Sequence, residues 1–304
     1  MQTTSHLLMI RPVRFGYNPE TAVNNAFQKQ EASMNIQELA VNEFDEYVKF
    51  LRSKGMDVTV VDDTPEPHTP DSIFPNNWIS FHEGGTICLY PMFAENRRLE
   101  RKQHVLDAVY EKFEVKNVID FTAYEADSMF LEGTGSMILD KPNKLAYACL
   151  SPRTNKTVFL DFCDRLGFEP IYFTSEDNNG QAIYHTNVMM CVGEQYVVIC
   201  TDSVKNEAEK KMVLKKIEDS GKVAIPISME QMNSFAGNML QVRNGSGKLF
   251  LLMSDTAYQS LSIEQRGRLG TFNEIICPSL YHVEVNGGGS ARCMVAEVFL
   301  AAKK

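Results

Sequence analysis

Long apolar runs are missing from this sequence: nothing approaches the roughly 18–20 residues that a membrane-spanning helix needs. The first residues, Met1-Gln-Thr-Thr-Ser-His-Leu-Leu-Met-Ile, hold an apolar stretch shorter than the ~7–15 residues of a secretory signal core. A soluble, cytoplasmic protein with no membrane partner is expected. Basic charge is also scarce. Thirty Lys and Arg stand against 39 Asp and Glu, a formal charge of −9, which argues against a nucleic-acid partner whose phosphates need a basic face. Paired cysteines are missing as well. The seven cysteines are an odd number at irregular spacings with no Cys-x-x-Cys, so a zinc ribbon or a dithiol redox site is not expected. Tryptophan occurs once, at position 78, and no Pro/Gly/Ser-rich linker divides the chain. What remains is an ordinary globular composition, 44% hydrophobic and 23% charged over 304 residues. A single domain spanning 1–304 is expected, large enough to bury its own core.

One pattern recurs along the chain. A strand-like run, a hairpin and a helix follow one another as 57–62, 77–90 and 96–114; then 117–121, 135–150 and 155–167; then 170–173, 187–201 and 203–219; then 223–227, 238–254 and a helix from Ser262. A fifth unit is split between the ends: strand 6–10 and helix 37–54 at one, strand 280–285 and a helix from Ser290 at the other. Five α/β units of about 60 residues exceed common solenoid periods. Two architectures fit this pattern. One is a ring closed by the chain ends, with strand-end loops from every unit meeting at an axis; the other is an ordinary open α/β sheet.

Four cysteines (88, 149, 191, 200) sit within strand-like apolar runs and read as small buried hydrophobes. Cys293 differs. It follows Gly287-Gly-Gly-Ser-Ala-Arg292, where Ser290 reads as an N-cap and Met294, Val295 and Val298 as one helical face. In the first turn of such a helix the dipole and Arg292 favour a thiolate, so Cys293 is a candidate nucleophile. A thiol nucleophile needs a proton carrier, and His185 in Ile-Tyr-His-Thr-Asn187 lies at a strand mouth where an axial loop would be. Glu132 in Leu-Glu-Gly-Thr-Gly and Asp71 in Asp-Ser-Ile-Phe-Pro-Asn76-Asn77-Trp occupy the same place in two other units.

Taken in order, Asp-x-x-Phe-x-x-Asn, Leu-Glu-Gly-x-Gly, His-x-Asn and Gly-Gly-Gly-Ser-x-Arg-Cys resemble the guanidino-modifying, or amidinotransferase, superfamily of the pentein fold. Its members include arginine deiminases, dimethylarginine dimethylaminohydrolases and glycine amidinotransferases, and the likeness extends to the bacterial citrulline-utilisation branch. The resemblance covers nearly the whole chain. It implies a five-bladed αβ propeller of ββαβ units about a pseudo-fivefold axis. It also implies Cys293 as nucleophile, His185 as general acid/base and Glu132 as the carboxylate that contacts the head group. Asp71 and the arginines of Asn96-Arg97-Arg98 and Leu-Ser-Pro-Arg153-Thr-Asn would hold the substrate's amino-acid end, Arg97 and Arg153 clamping the carboxylate. Neither metal nor cofactor is implied. The expected partner is a small amino-acid substrate, and a homodimer is compatible with it.

The departures fall at the head-group end. Arginine deiminases carry Arg-Asp in the first-unit loop and His-x-Asp, and the dimethylarginine enzymes carry Glu-Asp; the matching residues here are Asn76, Asn77 and Asn187. Acids have become amides. A buried guanidinium needs carboxylates, whereas a ureido group is neutral and is matched by amides. The expectation is a C–N hydrolase working through a covalent cysteine adduct, with citrulline favoured and ornithine, ammonia and carbon dioxide as products. An arginine deiminase or dimethylarginine hydrolase, an amidinotransferase and a non-catalytic amino-acid-binding relative are the alternatives.

Overall fold

Fifteen strands in the computed structural model, which describes residues 1–30 and 35–303, form five three-stranded sheets. Four are continuous in sequence: Ile79–His82, Thr86–Leu89 and Asn117–Asp120 (β3–β5); Ile138–Asp140, Leu145–Cys149 and Glu169–Phe173 (β6–β8); Met190–Val192, Tyr196–Ile199 and Val223–Pro226 (β9–β11); Leu240–Arg243, Leu249–Leu252 and Glu274–Ile276 (β12–β14). The other joins the chain ends, pairing His6–Arg11 (β1) with Asp57–Asp62 (β2) and with Ala296–Val298 (β15). Every sheet repeats one plan, an antiparallel pair followed by a parallel partner. The expected unit split across the termini is therefore present.

The parallel step dictates the helices. Parallel neighbours cannot be joined by a tight turn, and each of these pairs is bridged through a helix: Ile36–Ser53, Gln103–Lys112, Lys156–Leu166, Glu207–Asp219 and Ile263–Gly270. Their starts are written in side chains. Asn155 accepts the Thr157 N–H, Asn206 those of Ala208 and Glu209, and Ser262 forms a capping box with Gln265. The middle strands carry near-continuous apolar runs, as in fully buried Leu145–Cys149, because both of their faces are covered. Each sheet shares a hydrophobic cluster with the next. Leu8 and Ile10 pack with Ile79 and Phe81; Cys88 with Leu139 and Ala146; Tyr147 with Val197 and, through that cluster, Leu251; and Val242 and Phe250 with Leu7 and Met9 of the sheet that joins the chain ends.

Three local expectations change. Residues 280–285, read as a strand, form the helix Tyr281–Gly287, because the Glu43 carboxylate accepts the His282 and Val283 backbone N–H groups and so caps the helix from a distant part of the chain. The helix expected from Ser290 is a turn leading into β15. The Ser290 hydroxyl donates to Glu284 rather than capping, and residues 290–296 are buried throughout, not along one face. The helix expected over 96–114 breaks into Glu95–Arg98 and Gln103–Lys112, with Lys102 drawn inward to Asp63 at 2.6 Å. Among the described residues, no helix is long and apolar enough to cross a membrane.

Candidate active site

A short irregular or helical segment precedes the antiparallel edge strand of every sheet, and these segments with the residues just before them carry the polar residues of one site. Pro75–Asn77 leads into β3, Gly133–Ser136 into β6 and Thr186–Met189 into β9; residues 234–239 lead into β12 and 290–295 into β15. They bring Asn76 and Asn77, Glu132, His185 and Asn187, Asn238 and Cys293 into one region, all of them buried. The Leu-Glu-Gly-Thr-Gly glycines allow the approach. A Cβ on Gly135 would stand 2.5 Å from the Asn77 amide nitrogen and 2.8 Å from the His185 ring.

Cys293 lies in the turn before β15, so the helix dipole expected to favour its thiolate is not there. Two amides take that place: Nδ2 of Asn187 lies 3.3 Å from Sγ and Nδ2 of Asn238 lies 3.1 Å from it. Elsewhere in the chain, burial pushes the thiols of Cys88, Cys149 and Cys191 up to about 12, as fits packing residues.

His185 Nε2 meets Glu132 Oε2 at 2.8 Å, and the other oxygen of Glu132 accepts the Phe93 N–H at 3.0 Å. Burial alone would raise the Glu132 carboxyl, but Arg153, the His185 contact and Arg97 together outweigh it and hold the group below the usual carboxylate range. Burial lowers His185 to about 4 against the opposing pull of Glu132. The pair is a neutral imidazole on an ionised carboxylate.

The two arginines differ. Arg97 is bidentate to Glu100, at 2.7 and 3.0 Å, and also donates to Asn77 Oδ1 at 2.8 Å and to the Phe74 carbonyl. Its fork is thus filled by a buried carboxylate on its own chain turn. Arg153 instead donates to Asn24 Oδ1 and to the Thr21 carbonyl, each at 2.7 Å, and reaches Glu132 at 3.5 Å. Asn24 and Thr21 belong to residues 18–28, which lie across the site. From the same stretch Asn18 and Thr21 donate to Asp71 Oδ2, Asn25 to the Gly288 carbonyl and Gln28 to the Asn286 carbonyl. Burial raises the Asp71 carboxyl, with Arg97 opposing it. Two buried acceptors here have no partner, Asp71 Oδ1 and Asn187 Oδ1. Such groups are costly unless something supplies their hydrogen bond.

Asp71, Asn77, Arg97, Arg153, His185 and Cys293 line one cavity with Gly287, Gly288 and Gly289. Beneath residues 18–28 it leaves ≈ 10 Å³ for the centre of a water-sized sphere, about one water. Asn76 stands behind, hydrogen-bonded to Asn77 and Thr134. Sequence reasoning missed Asn238, Glu100 and Asn24. For Asn238 the repeat itself was a signal, since Gly237-Asn238 opens the first strand of the fourth sheet. For Glu100 and Asn24 no pattern marks the contact. Among the described residues, no group of three or more His, Cys, Asp and Glu could hold a metal.

The chain's family match makes it a cysteine-dependent hydrolase of C–N bonds. Over residues 11–300 the chain matches the family described as N,N dimethylarginine dimethylhydrolase, eukaryotic, and it belongs to that family. Comparison with curated proteins finds no match. Among solved structures, it resembles ArgZ, an arginine dihydrolase from the ornithine–ammonia cycle in cyanobacteria, at a TM-score of 0.76 and 16% identity, covering 98% of this chain and 42% of ArgZ. Against the substrate-bound N-terminal domain of ArgZ alone the TM-score is 0.74, with 97% and 99% of the two chains covered at 16% identity. A dimethylarginine dimethylaminohydrolase adduct with 4-chloro-2-hydroxymethylpyridine gives a TM-score of 0.67 at 16% identity, covering 97% and 99%. The likeness to these structures is one of fold: an α/β architecture of small mixed sheets.

Proposed function

We propose that this protein hydrolyses the ureido or guanidino end of a free amino acid through a covalent adduct on Cys293, with citrulline favoured. The observation that carries the proposal is a single cavity holding a cysteine sulfur with two amide N–H donors beside a buried His185–Glu132 pair. The five sheets, each sharing a core cluster with the next and the fifth with the first, are read as blades about a pseudo-fivefold axis, which brings loops from every unit to one place.

In the proposed reaction the thiol proton of Cys293 passes to neutral His185, and the sulfur forms a bond to the planar central carbon. The C–N bond to the amino-acid nitrogen breaks, and His185 returns the proton to that leaving nitrogen, giving ornithine and a carbamoyl thioester. Water then gives a proton to His185 and attacks the same carbon. The C–S bond breaks, the thiol regains its proton, and the carbamate falls to ammonia and carbon dioxide. Glu132 keeps the imidazole in its Nε2–H tautomer, leaving Nδ1 as the base. Asp71, with an oxygen unpaired, takes the α-ammonium. Arg153 takes the α-carboxylate in place of Thr21 and Asn24, and Arg97 organises Asp71 and Asn77 from behind.

The charge balance supports a ureido head group. The residues on the sulfur are amides, Glu132 is already engaged by His185 and Arg153, and Asp71, the cavity's carboxylate with an open oxygen, is taken by the α-ammonium, so among the described residues that line this cavity none is left to match a guanidinium. Family membership favours the second reading, a guanidino substrate such as arginine or a methylated arginine. Incubation with citrulline, arginine, methylated arginines and agmatine, with every product identified by mass, decides. Citrulline should show the highest kcat/KM. Preference for arginine or a methylated arginine sinks the ureido reading, and no turnover of any of them sinks the hydrolase.

A further inference from the structure

The fourth sheet contributes one polar residue to the site, and no motif marks it. Asn238 precedes β12 as Asn77, Asn187 and Cys293 precede β3, β9 and β15, and it is 1% exposed. Its backbone neighbour fixes where it stands: a Cβ on Gly237 would lie 2.1 Å from the Val188 carbonyl, so only glycine lets the fourth segment meet the third this closely. All of its amide groups are used. Oδ1 accepts the backbone N–H of Arg292 at 3.0 Å, while Nδ2 donates to Cys293 Sγ at 3.1 Å and to the Asn187 carbonyl at 3.2 Å. A backbone N–H can only donate, so it fixes which end of the amide faces it and turns the NH₂ toward the sulfur.

We propose that Asn238 is the positioning residue of the nucleophile: its carbonyl pins the turn carrying Cys293, and its N–H holds the sulfur anion ready for attack. The inference rests on Cys293 being the nucleophile. With Asn187, Asn238 gives the sulfur two donors from two different sheets. Hydrogen bonds to an ionised acceptor are about twice as strong as those to a neutral one, so both donors grip the sulfur harder once its proton has passed to His185. The Asn187 backbone is held in turn, because its main-chain carbonyl accepts from Asn238.

The test is alkylation of Cys293 by iodoacetamide across pH in substrate-free, full-length protein, with the modified residue located by mass, alongside thermal unfolding. Asn238→Asp keeps the shape and the acceptor for Arg292 N–H but replaces the donor on Sγ by a carboxylate oxygen that repels the anion; Asn238→Ala removes donor and acceptor without adding charge. Both variants should need a higher pH to reach half-maximal alkylation, by about one unit or more. Both should also lose roughly tenfold or more in kcat with little change in KM. Profiles matching wild type in folded variants overturn the proposal. So does loss of the folded state in both, which assigns Asn238 to architecture alone. The alkylation profile needs no substrate, so a wild-type protein that turns nothing over defeats the hydrolase reading, while the pH shift between wild type and the variants still decides whether Asn238 holds the sulfur.

Discussion

His185 and Glu132 meet at 2.8 Å, Nε2 to Oε2, with both side chains closed off from solvent. An ionised carboxylate only accepts, so Nε2 carries the proton and Nδ1 is left basic. Burial, against the pull of Glu132, brings the imidazole down to about 4. The histidine is therefore neutral, and ready to take a proton, across the physiological range.

A pH signature follows. The folded value of His185 lies below the ordinary 6.5, so between about 6.5 and 4 the unfolded chain binds more protons than the native one. Its contribution to stability is complete above that window and falls as pH falls through it, by up to about 1.4 kcal/mol per unit. Glu132, also lowered, adds a loss at more acid pH still. Urea unfolding at pH 7 and pH 5 should show the drop, and His185→Asn should reduce it. The acid limb of kcat/KM should lie near 4; a limb near 6.5 contradicts a neutral, buried base.

Cys293→Ala should abolish turnover while leaving the fold intact. The side chain is small and sits in a turn, so its loss costs about 1 kcal/mol, visible as a modest fall in the unfolding midpoint. Retention of even a tenth of wild-type kcat removes Cys293 from the nucleophile role.

Arg153 and Arg97 should separate. Arg153→Ala should raise KM for citrulline or arginine and matter far less for agmatine, which has no carboxylate. Arg97→Ala strips Glu100 of its partner and leaves a buried carboxylate alone, which costs about 3–5 kcal/mol and harms every substrate alike. Loss confined to α-amino acids in the Arg97 variant would return that residue to the clamp.

The two asparagines at the head-group end should also diverge. Asn77→Asp places a carboxylate on the Arg97 Nη1 donor and adds negative charge, so kcat/KM should shift toward arginine relative to citrulline. Asn187→Asp sets a carboxylate 3.3 Å from Sγ, opposing the thiolate and slowing all substrates. Kinetics on both amino acids check this, and an unchanged ratio in Asn77→Asp counts against charge as the basis of selection.

What the sequence determined by itself was the repeat and the cast of residues. Strand alternation, helix periodicity and caps such as Asn155, Asn206 and Ser262 are set by interactions within a few residues, so five α/β units and their split across the termini are legible along the chain. Cys293, His185, Glu132 and Asp71 could be named from motif order. Tertiary structure decided what those residues touch. Residues 281–287 are helical because Glu43, 239 residues away from His282, caps them, and Cys293 precedes a strand because β15 pairs with β1. Glu100 fills the fork of Arg97 and Thr21 and Asn24 occupy Arg153, neither foreseeable from spacing, and Asn238, whose place the repeat marks, reaches the sulfur only because the segment before β12 packs on the one before β9. Local periodicity records which face a side chain takes; which partner waits there depends on how the five sheets pack together.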